Sequence, residues 1–292
     1  MNPHHSPLDR DISGWPFLKG HGTGNDFVLL PDLTGERDPS PAEVARICDR
    51  HFGIGADGVL RIVPTALVPE VGDQAGEATY FMDYRNADGS LAEMCGNGIR
   101  VFARYLVFAG LATPGTMQIA TRGGVREVIV DLDGHISVDL GDWRATGAAT
   151  VTANGVSYAG TGIALANPHV VVEVNDLAAV GSLTVEPSVE PAEAFADGVN
   201  FEFLVRLGPR HLAMRVHERG SGETLSCGTG AAAVAAYVAS TQAATERADY
   251  QVDVPGGILH VVIDGTRVWL RGPAVLVAQG RISDALRATG GG

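Results

Sequence analysis

Two cysteine-containing segments of the sequence repeat each other. Cys95 begins the segment CGNGIRVFARY, and Cys227, 132 residues later, begins CGTGAAAVAAY. The cysteine, both glycines, one alanine and the final tyrosine match without a gap. Because the 292 residues include only three cysteines and each copy follows a strand pattern and a polar turn, the match indicates a duplicated domain. A pseudo-two-fold axis between the copies would place the two cysteines opposite each other across a cleft.

Each of these cysteines precedes a predicted helix. The free amides and the dipole of a helix start lower the pKa of a thiol from about 8.5, so a thiolate is expected near neutral pH. The same amides, approached closely past glycine, bind a carboxylate. A carboxylate held between both helix starts would place its Cα between two sulfurs. One thiolate could then remove the Cα proton while the opposite thiol protonates the other face, which is racemase or epimerase chemistry that needs no cofactor and no metal.

The third cysteine is expected to have a structural role, and a redox role is the alternative for the other two. Cys48 lies on the apolar face of a helix predicted to start at Ser40, with Pro41 at its first position and Glu43 completing a capping box. It is therefore expected to be a core residue. Thiol–disulfide exchange also needs two facing cysteines, but it usually uses a CxxC motif, which the sequence lacks.

Composition restricts the class of protein. The 34 acidic and 21 basic residues give a net charge of −13, which argues against nucleic acid or an anionic membrane as a partner. A transmembrane helix needs about 18 consecutive apolar residues, and the sequence has no such run. The few scattered cysteines argue against a disulfide framework and favour the reducing cytoplasm. Residues 1–16 are polar and are predicted to be a disordered extension, not a signal peptide.

Strand patterns greatly outnumber helix patterns. Strands are predicted at residues 17–19, 27–30, 59–63 and 80–84, at short intervals from 117 to 174, and at 199–206, 211–217, 250–254, 259–264, 267–271 and 274–279. One helix is predicted to start at Ser40. A second, of about 12 residues, follows the Cys95 segment and ends at Gly110, and a third follows Cys227 and runs to about Ser240. Residues 64–78 and 180–196 are predicted to be loops, the latter with a helical turn.

One glycine-rich motif and the histidines are excluded as sites. Gly53, Gly55 and Gly58 match the spacing of a dinucleotide-binding loop. They follow a predicted helix and precede a strand, the reverse of the order that this motif needs, so nucleotide binding is not expected. The nine histidines form no ligand cluster, and no metal site is predicted.

The sequence resembles the diaminopimelate epimerase family from Phe17 to Ile282. The resemblance rests on six segments, which together are highly specific. They are residues 19–27 (KGHGTGNDF), 86–90 (NADGS), 94–100 (MCGNGIR), 166–169 (ANPH), 218–224 (ERGSGET) and 227–230 (CGTG).

This resemblance implies an α/β (α+β) fold of two pseudo-symmetric domains. In each domain a mostly antiparallel, barrel-like sheet wraps around a central helix. In the family the last strand returns to the first domain. The N-terminal domain, which carries Cys95, would then comprise residues 17–130 and 272–292, and the C-terminal domain, which carries Cys227, residues 131–271.

The resemblance also implies an activity and site residues. The family interconverts LL- and meso-2,6-diaminopimelate in the synthesis of lysine and peptidoglycan precursors. Cys95 and Cys227 match its acid/base pair. The residues that match its helix-start amides for the reacting carboxylate are Gly96, Asn97, Gly228 and Thr229. The side chains that match those holding the substrate are Asn25, Asn86, Asn167, Asn200, Glu218 and Arg219, and His169 matches a histidine near one catalytic cysteine. Relatives are often dimers, so a homodimer is the expected assembly if the chain associates.

One position departs from the family pattern, and two alternative functions stay open. Many relatives carry glutamine where Gly58 stands, so a side-chain contact made there must be missing or supplied by another group. The alternatives are a proline or hydroxyproline racemase of the same fold and a non-catalytic or redox protein of this fold. In the racemase family, the first motif typically has histidine where Asn97 stands.

Overall fold

The computed structural model describes residues 14–165, 167–196, 198–242 and 247–283. Residues 1–13 of the predicted extension and Ala166 of the ANPH segment lie outside these ranges. For residues 14–16 the predicted disorder is wrong, because they begin the first strand. Trp15 is buried there and donates its indole N–H to the Pro31 carbonyl at 3.0 Å, which ties this end of the chain to the second strand.

The described residues form one continuous 18-stranded sheet and three α-helices. The first strands are β1 (Gly14–Gly22), β2 (Asn25–Pro31), β3 (Gly58–Pro64), β4 (Tyr80–Asn86), β5 (Gly115–Ala120), β6 (Arg126–Val130) and β7 (Ile136–Asp142). The others are β8 (Arg144–Ala153), β9 (Val156–Ala164), β10 (Pro168–Glu173), β11 (Ser188–Glu190), β12 (Asn200–Gly208), β13 (His211–Glu218), β14 (Gly222–Thr224), β15 (Ala248–Val254), β16 (Gly257–Asp264), β17 (Arg267–Gly272) and β18 (Val275–Ser283). The helices are α1 (Pro41–Cys48), α2 (Gly96–Phe108) and α3 (Gly228–Thr241).

The same order of strand pairings occurs twice in this sheet. From β1 to β7, successive strands pair antiparallel, parallel, antiparallel, parallel, antiparallel and antiparallel. The series β9, β10, β12, β13, β15, β16 and β17 has the identical order. The two series meet where their last strands, β7 and β17, pair antiparallel. The topology therefore contains the repeat that the two cysteine segments indicate.

Helices α2 and α3 occupy equivalent places in the two series. Each lies between the fourth strand of its series, β4 or β13, and the fifth, β5 or β15. Helix α3 is buried almost all round, and its residues 231–236 have no exposed surface. Small alanine side chains allow the sheet to close this tightly around a helix. The prediction of a central, alanine-rich helix is confirmed.

The sheet pairing bears on where one repeat ends. β18 pairs with β1, so the last described strand joins the sheet of the first series. β7 pairs with β6 and packs against α2, yet the predicted boundary at residue 130 assigns it to the second domain. We propose a boundary between β7 and β8 instead, because this keeps the seven strands of each repeated series on one side of it.

Helix α1 forms as its sequence predicts. The Ser40 hydroxyl accepts a hydrogen bond from Glu43 N, and the Glu43 carboxylate accepts one from Ser40 N. Val44, Ile47 and Cys48 are buried on one face, so the core role of Cys48 is confirmed. In the described ranges, no helix is long and apolar enough to cross a membrane.

A buried ion-pair network holds β3 against β4 close to the site. Arg61 contacts Asp32 at 2.7 Å and Asp83 at 3.2 Å, and Arg85 contacts Asp83 at 2.8 Å. Arg122 adds a further contact to Asp83 at 2.7 Å. Removing one member would leave a buried charge uncompensated, so the network is expected to stay intact. It thereby holds in place the end of β4, which carries Tyr84 and Asn86.

Candidate active site

Cys95 and Cys227 are the N-cap residues of α2 and α3. Both have extended backbone angles, and each Sγ accepts a hydrogen bond from the amide three residues later. These amides are Gly98 N at 3.3 Å and Gly230 N at 3.4 Å. The amide of the third helical residue is therefore directed at the thiol in both helices. The prediction that each cysteine stands at a helix start is confirmed.

The two helix starts lie against each other. A Cβ placed on Gly228 would lie 3.3 Å from the Cα of Gly96 and 2.8 Å from Leu270 Cδ2. A Cβ on Gly96 would lie 3.0 Å from the same leucine and 3.6 Å from the Cα of Gly228. Glycine at both positions permits this approach, so the amide ends of both helices face one space.

A cavity of about 520 Å³ opens at this contact, with Cys95 and Cys227 in its wall. The other predicted site residues that line it are Asn86, Gly96, Asn97, Asn167, Asn200, Glu218, Arg219, Gly228 and Thr229. Asn25 lines an adjoining cavity of about 790 Å³, which also reaches Cys95. His169 is fully buried behind this wall. The fold therefore gathers residues from both repeats around the two thiols.

Two asparagines link Cys95 to the second repeat. Asn97 Nδ2 donates hydrogen bonds to the Ser226 carbonyl at 2.9 Å and to Asn25 Oδ1 at 3.2 Å. Asn25 Nδ2 in turn donates to Asp57 Oδ2 at 2.7 Å, which turns Asn25 Oδ1 toward Cys95 Sγ, 3.7 Å away. The amide orientations are thus set by a carboxylate on one side and a backbone carbonyl on the other.

Glu218 and Arg219 stand at the end of β13 beside the other thiol. The Cys227 thiol and the Thr224 hydroxyl both donate to the Glu218 carboxylate. Burial raises the pKa of this carboxyl, although both hydrogen bonds favour its ionised form. Arg219 N donates to Asn200 Oδ1 at 2.9 Å, which fixes the strand end.

Both thiols are harder to ionise than their helix positions predict. Burial raises the pKa of Cys95 to about 11, although the amides of Gly98 and Asn97 act in the opposite direction. Burial raises the pKa of Cys227 well above its ordinary value. The expectation of a lowered thiol pKa is therefore wrong for the protein alone, because desolvation outweighs the helix amides. A cationic group brought beside either sulfur would favour its thiolate.

Comparison with known proteins assigns the family. The family model described as diaminopimelate epimerase matches residues 17–146 and 161–277. The chain is 51% identical to the diaminopimelate epimerase of Streptomyces coelicolor over 279 residues, which cover 92% of the chain and 96% of that protein. It is 47% identical to that of Thermobifida fusca, with 91% and 97% covered. The chain belongs to the diaminopimelate epimerase family.

Solved structures of more distant proteins share the fold of this epimerase family member. A predicted epimerase from Pseudomonas aeruginosa superimposes with a TM-score of 0.70 at 14% identity, covering 92% of the chain and 99% of that structure. A hydroxyproline epimerase from Agrobacterium vitis superimposes with a TM-score of 0.69 at 12% identity and 92% coverage of both. At such low identity these neighbours establish the mixed, sheet-dominated α/β fold alone.

Gly58, the position that departs from the expected family pattern, is packed against Tyr84. A Cβ on Gly58 would lie 2.6 Å from the Arg85 carbonyl oxygen and 2.8 Å from Tyr84 Cε2. Tyr84 lines both cavities, and its ring meets Phe27 edge-on at 5.9 Å. The Tyr84 ring therefore occupies the space beside residue 58 at the cavity wall. Tyr84 is a cavity residue that the sequence analysis missed.

Sequence reasoning also missed Glu202, the partner of His169. Glu202 Oε1 lies 2.7 Å from His169 Nδ1, and neither side chain has exposed surface. The signal was available, because a single glutamate interrupts the apolar run from residue 201 to 205. A charged residue inside an otherwise apolar strand is almost never buried without a partner.

Proposed function

We propose that this chain interconverts LL- and meso-2,6-diaminopimelate by moving one proton between the faces of a single Cα, with Cys95 and Cys227 as the two bases. The observation that carries this proposal is the presence of both thiols, at two touching helix starts, in the wall of one cavity. Membership in the diaminopimelate epimerase family supports the choice of substrate.

The helix starts would hold the reacting carboxylate. Backbone amides at Gly96, Asn97, Gly228 and Thr229 are available because first-turn amides have no partner within a helix. Two helix dipoles add partial positive charge at the same place. Removal of the Cα proton spreads negative charge onto the carboxylate, so donors already aimed there stabilise the carbanion without rearrangement.

The two thiols would act in sequence on opposite faces of Cα. One thiolate takes the Cα proton, and the electron pair of the broken C–H bond stays on the carbanion. The opposite thiol then gives its proton to the other face and becomes the thiolate. Configuration is inverted, no atom is lost, and the charge has moved from one sulfur to the other.

The remaining side chains suit a substrate with ammonium and carboxylate groups. Arg219 and the amides of Asn86, Asn167 and Asn200 suit the distal carboxylate, because guanidinium and amide groups donate to it. Glu218 suits an ammonium. An α-ammonium near the sulfurs would also offset the desolvation that raises both thiol pKa values.

Incubation of the reduced protein with LL-diaminopimelate in deuterated water tests this proposal. We expect the meso isomer to form, with deuterium at one Cα of the product. Absence of both product and exchange would refute it. Proline and hydroxyproline serve as comparison substrates, and exchange at their Cα without exchange of diaminopimelate would select the racemase alternative.

A further inference from the structure

The repeated strand order makes positions in the two halves equivalent. Phe27 of β2 lies opposite the first residue of β3, and His169 of β10 lies opposite the first residue of β12. Leu60 and Glu202 are the third residues of β3 and β12. The pair Phe27 and Leu60 in the first repeat therefore corresponds to the pair His169 and Glu202 in the second.

The two pairs lie beneath equivalent helix starts. A Cβ on Gly98, in the first turn of α2, would lie 3.4 Å from both Phe27 Cζ and Leu60 Cδ2. A Cβ on Gly230, in the first turn of α3, would lie 2.8 Å from Glu202 Oε1. An apolar pair thus supports one helix start, and an ionisable pair supports the other.

The ionisable pair is only half satisfied. His169 Nδ1 and Glu202 Oε1 are 2.7 Å apart, and both side chains are fully buried. In the described part of the chain, His169 Nε2 and Glu202 Oε2 have no hydrogen-bond partner. Buried polar atoms left unpaired cost free energy, and an apolar pair of similar shape would avoid that cost. A cost accepted at one of two equivalent places points to a role in the chemistry.

The ionisable pair belongs to the surroundings of Cys227. The carboxylates that face this thiol are Glu218 from β13 and Glu202 from β12. His169 from β10 contacts Glu202 and lies near Glu218. Burial is the main cause of the raised pKa of Cys227, and Glu218 and then Glu202 raise it further. Both carboxylates therefore favour the protonated thiol.

The surroundings of Cys95 are of mixed sign, because a cation stands there beside a carboxylate. It faces Glu218, the phenol of Tyr84 on β4 and the guanidinium of Arg100 in α2. Arg100 is fully buried, and among the described residues it binds backbone carbonyls and a hydroxyl, with no carboxylate in contact. Its positive charge favours the thiolate of Cys95.

We propose that Glu202 is a positioning residue of the epimerase site: bound to His169, it sets an ionisable pair beside Cys227 and makes the two thiols chemically unequal. In the substrate-free protein Cys227 holds its proton more firmly than Cys95. The inference rests on the proposed function for its catalytic meaning, since two-base inversion needs one thiol and one thiolate at the start of each turnover.

Two variants and one control test this assignment. Glu202→Gln removes the charge and keeps the shape. The double variant His169→Phe with Glu202→Leu installs the apolar pair of the first repeat, so it retains a packing that this fold already accepts. Glu173→Gln is the control, because Glu173 of β10 pairs with Arg206 of β12 at the far end of the same two strands.

The readout is the rate at which iodoacetamide modifies each cysteine between pH 6 and 10, resolved by peptide mass spectrometry. In both test variants we expect Cys227 to react about tenfold faster below its midpoint, a shift of about one pH unit, with Cys95 unchanged. The control should match the parent protein at both cysteines. The measurement contains no substrate, so it stands whether or not diaminopimelate proves to be the substrate.

The assignment is overturned if Cys227 keeps its parent modification rate across this pH range in both variants, or if the rates of Cys95 and Cys227 rise together. Circular dichroism of each variant checks that its fold is retained. If Glu202→Gln does not fold, the double variant decides, and a Cys227 modification rate in it equal to that of the parent contradicts the proposal.

Discussion

The side chain of Asn97 in the first repeat donates a hydrogen bond to the carbonyl of Ser226 in the second, at 2.9 Å. Asn97 is the second residue of α2, and Ser226 directly precedes Cys227. One buried amide thus ties the start of α2 to the residue that precedes the N-cap of α3. The relative placement of the two sulfurs depends on this contact as well as on the sheet around them.

Replacement Asn97→Asp should abolish this link. A carboxylate oxygen would face the Ser226 carbonyl, so we expect the free energy of unfolding to fall by about 1–3 kcal/mol. Epimerisation should fall much further, because the new charge lies where the substrate carboxylate binds. Asn154→Asp is the control, since Asn154 Nδ2 also donates to two backbone carbonyls, those of Val180 and Ser182, but away from the cavity. Urea unfolding measures the stability of both variants, and their epimerisation rates are compared. Equal losses of activity in the two variants would contradict this role.

The contact between helix starts leads to a second prediction. In Gly228→Ala the new Cβ meets Gly96 Cα at 3.3 Å and Leu270 Cδ2 at 2.8 Å, so the Leu270 side chain must move and the two helix starts must shift apart by a few tenths of an ångström. We expect a loss of about 1–3 kcal/mol in stability and a large loss of kcat. Gly72→Ala places its Cβ in open space and should change neither quantity. Thermal unfolding and kcat, measured side by side, check this, and a fully active Gly228→Ala protein would refute the tight approach.

The wall position of Tyr84 predicts a contact with substrate. Burial raises the pKa of its phenol well above the ordinary value, so it stays a neutral donor in the working pH range. In Tyr84→Phe, loss of a hydrogen bond to a charged group should lower kcat/KM by about tenfold to a hundredfold with little change in stability. Tyr158→Phe is the control, because Tyr158 makes a similar edge-on ring contact, with Phe203 at 5.7 Å. A Tyr84→Phe enzyme with parental kcat/KM would remove Tyr84 from the site.

The buried thiol of Cys48 predicts a pH dependence of stability. Burial raises its pKa from 9.0 to about 12, so the unfolded chain loses the proton first as pH rises. The stabilising contribution is complete below pH 9 and shrinks by up to about 1.4 kcal/mol per pH unit above it. Cys48→Ala lacks this contribution, so the stability difference between parent and variant should narrow from pH 8 to pH 11. The free energies of unfolding of parent and variant are measured by urea unfolding at each pH. A difference between them that stays constant across this range would contradict the assignment.

Local patterns predicted much of this structure. Short segments of sequence were enough to predict the capping box of α1 and the helices after Cys95 and Cys227, and all three are present. The comparison of two such segments predicted the repeat. The thiol pKa was mispredicted because desolvation is a property of the closed sheet and not of the helix start. The first strand begins at Gly14 because it pairs with β18, near the other end of the chain.

The contacts that the sequence analysis missed have the same explanation. His169 and Glu202 stand 33 positions apart and meet only because β10 and β12 pair in parallel. Tyr84 reaches Gly58 across the antiparallel pair β3–β4. Spacing along the chain carries no trace of either contact, whereas the strand register creates both.

The most direct test of the account compares the epimerisation rates of Cys95→Ser and Cys227→Ser with that of Cys48→Ala. Serine is too weak an acid to replace either thiol, so each of the first two variants should lose about 10²–10⁴-fold in kcat, and the double variant little more than either alone. Cys48→Ala should turn over at nearly the parent rate. Normal turnover by either Cys95→Ser or Cys227→Ser, in protein shown to be folded, would contradict the two-base mechanism.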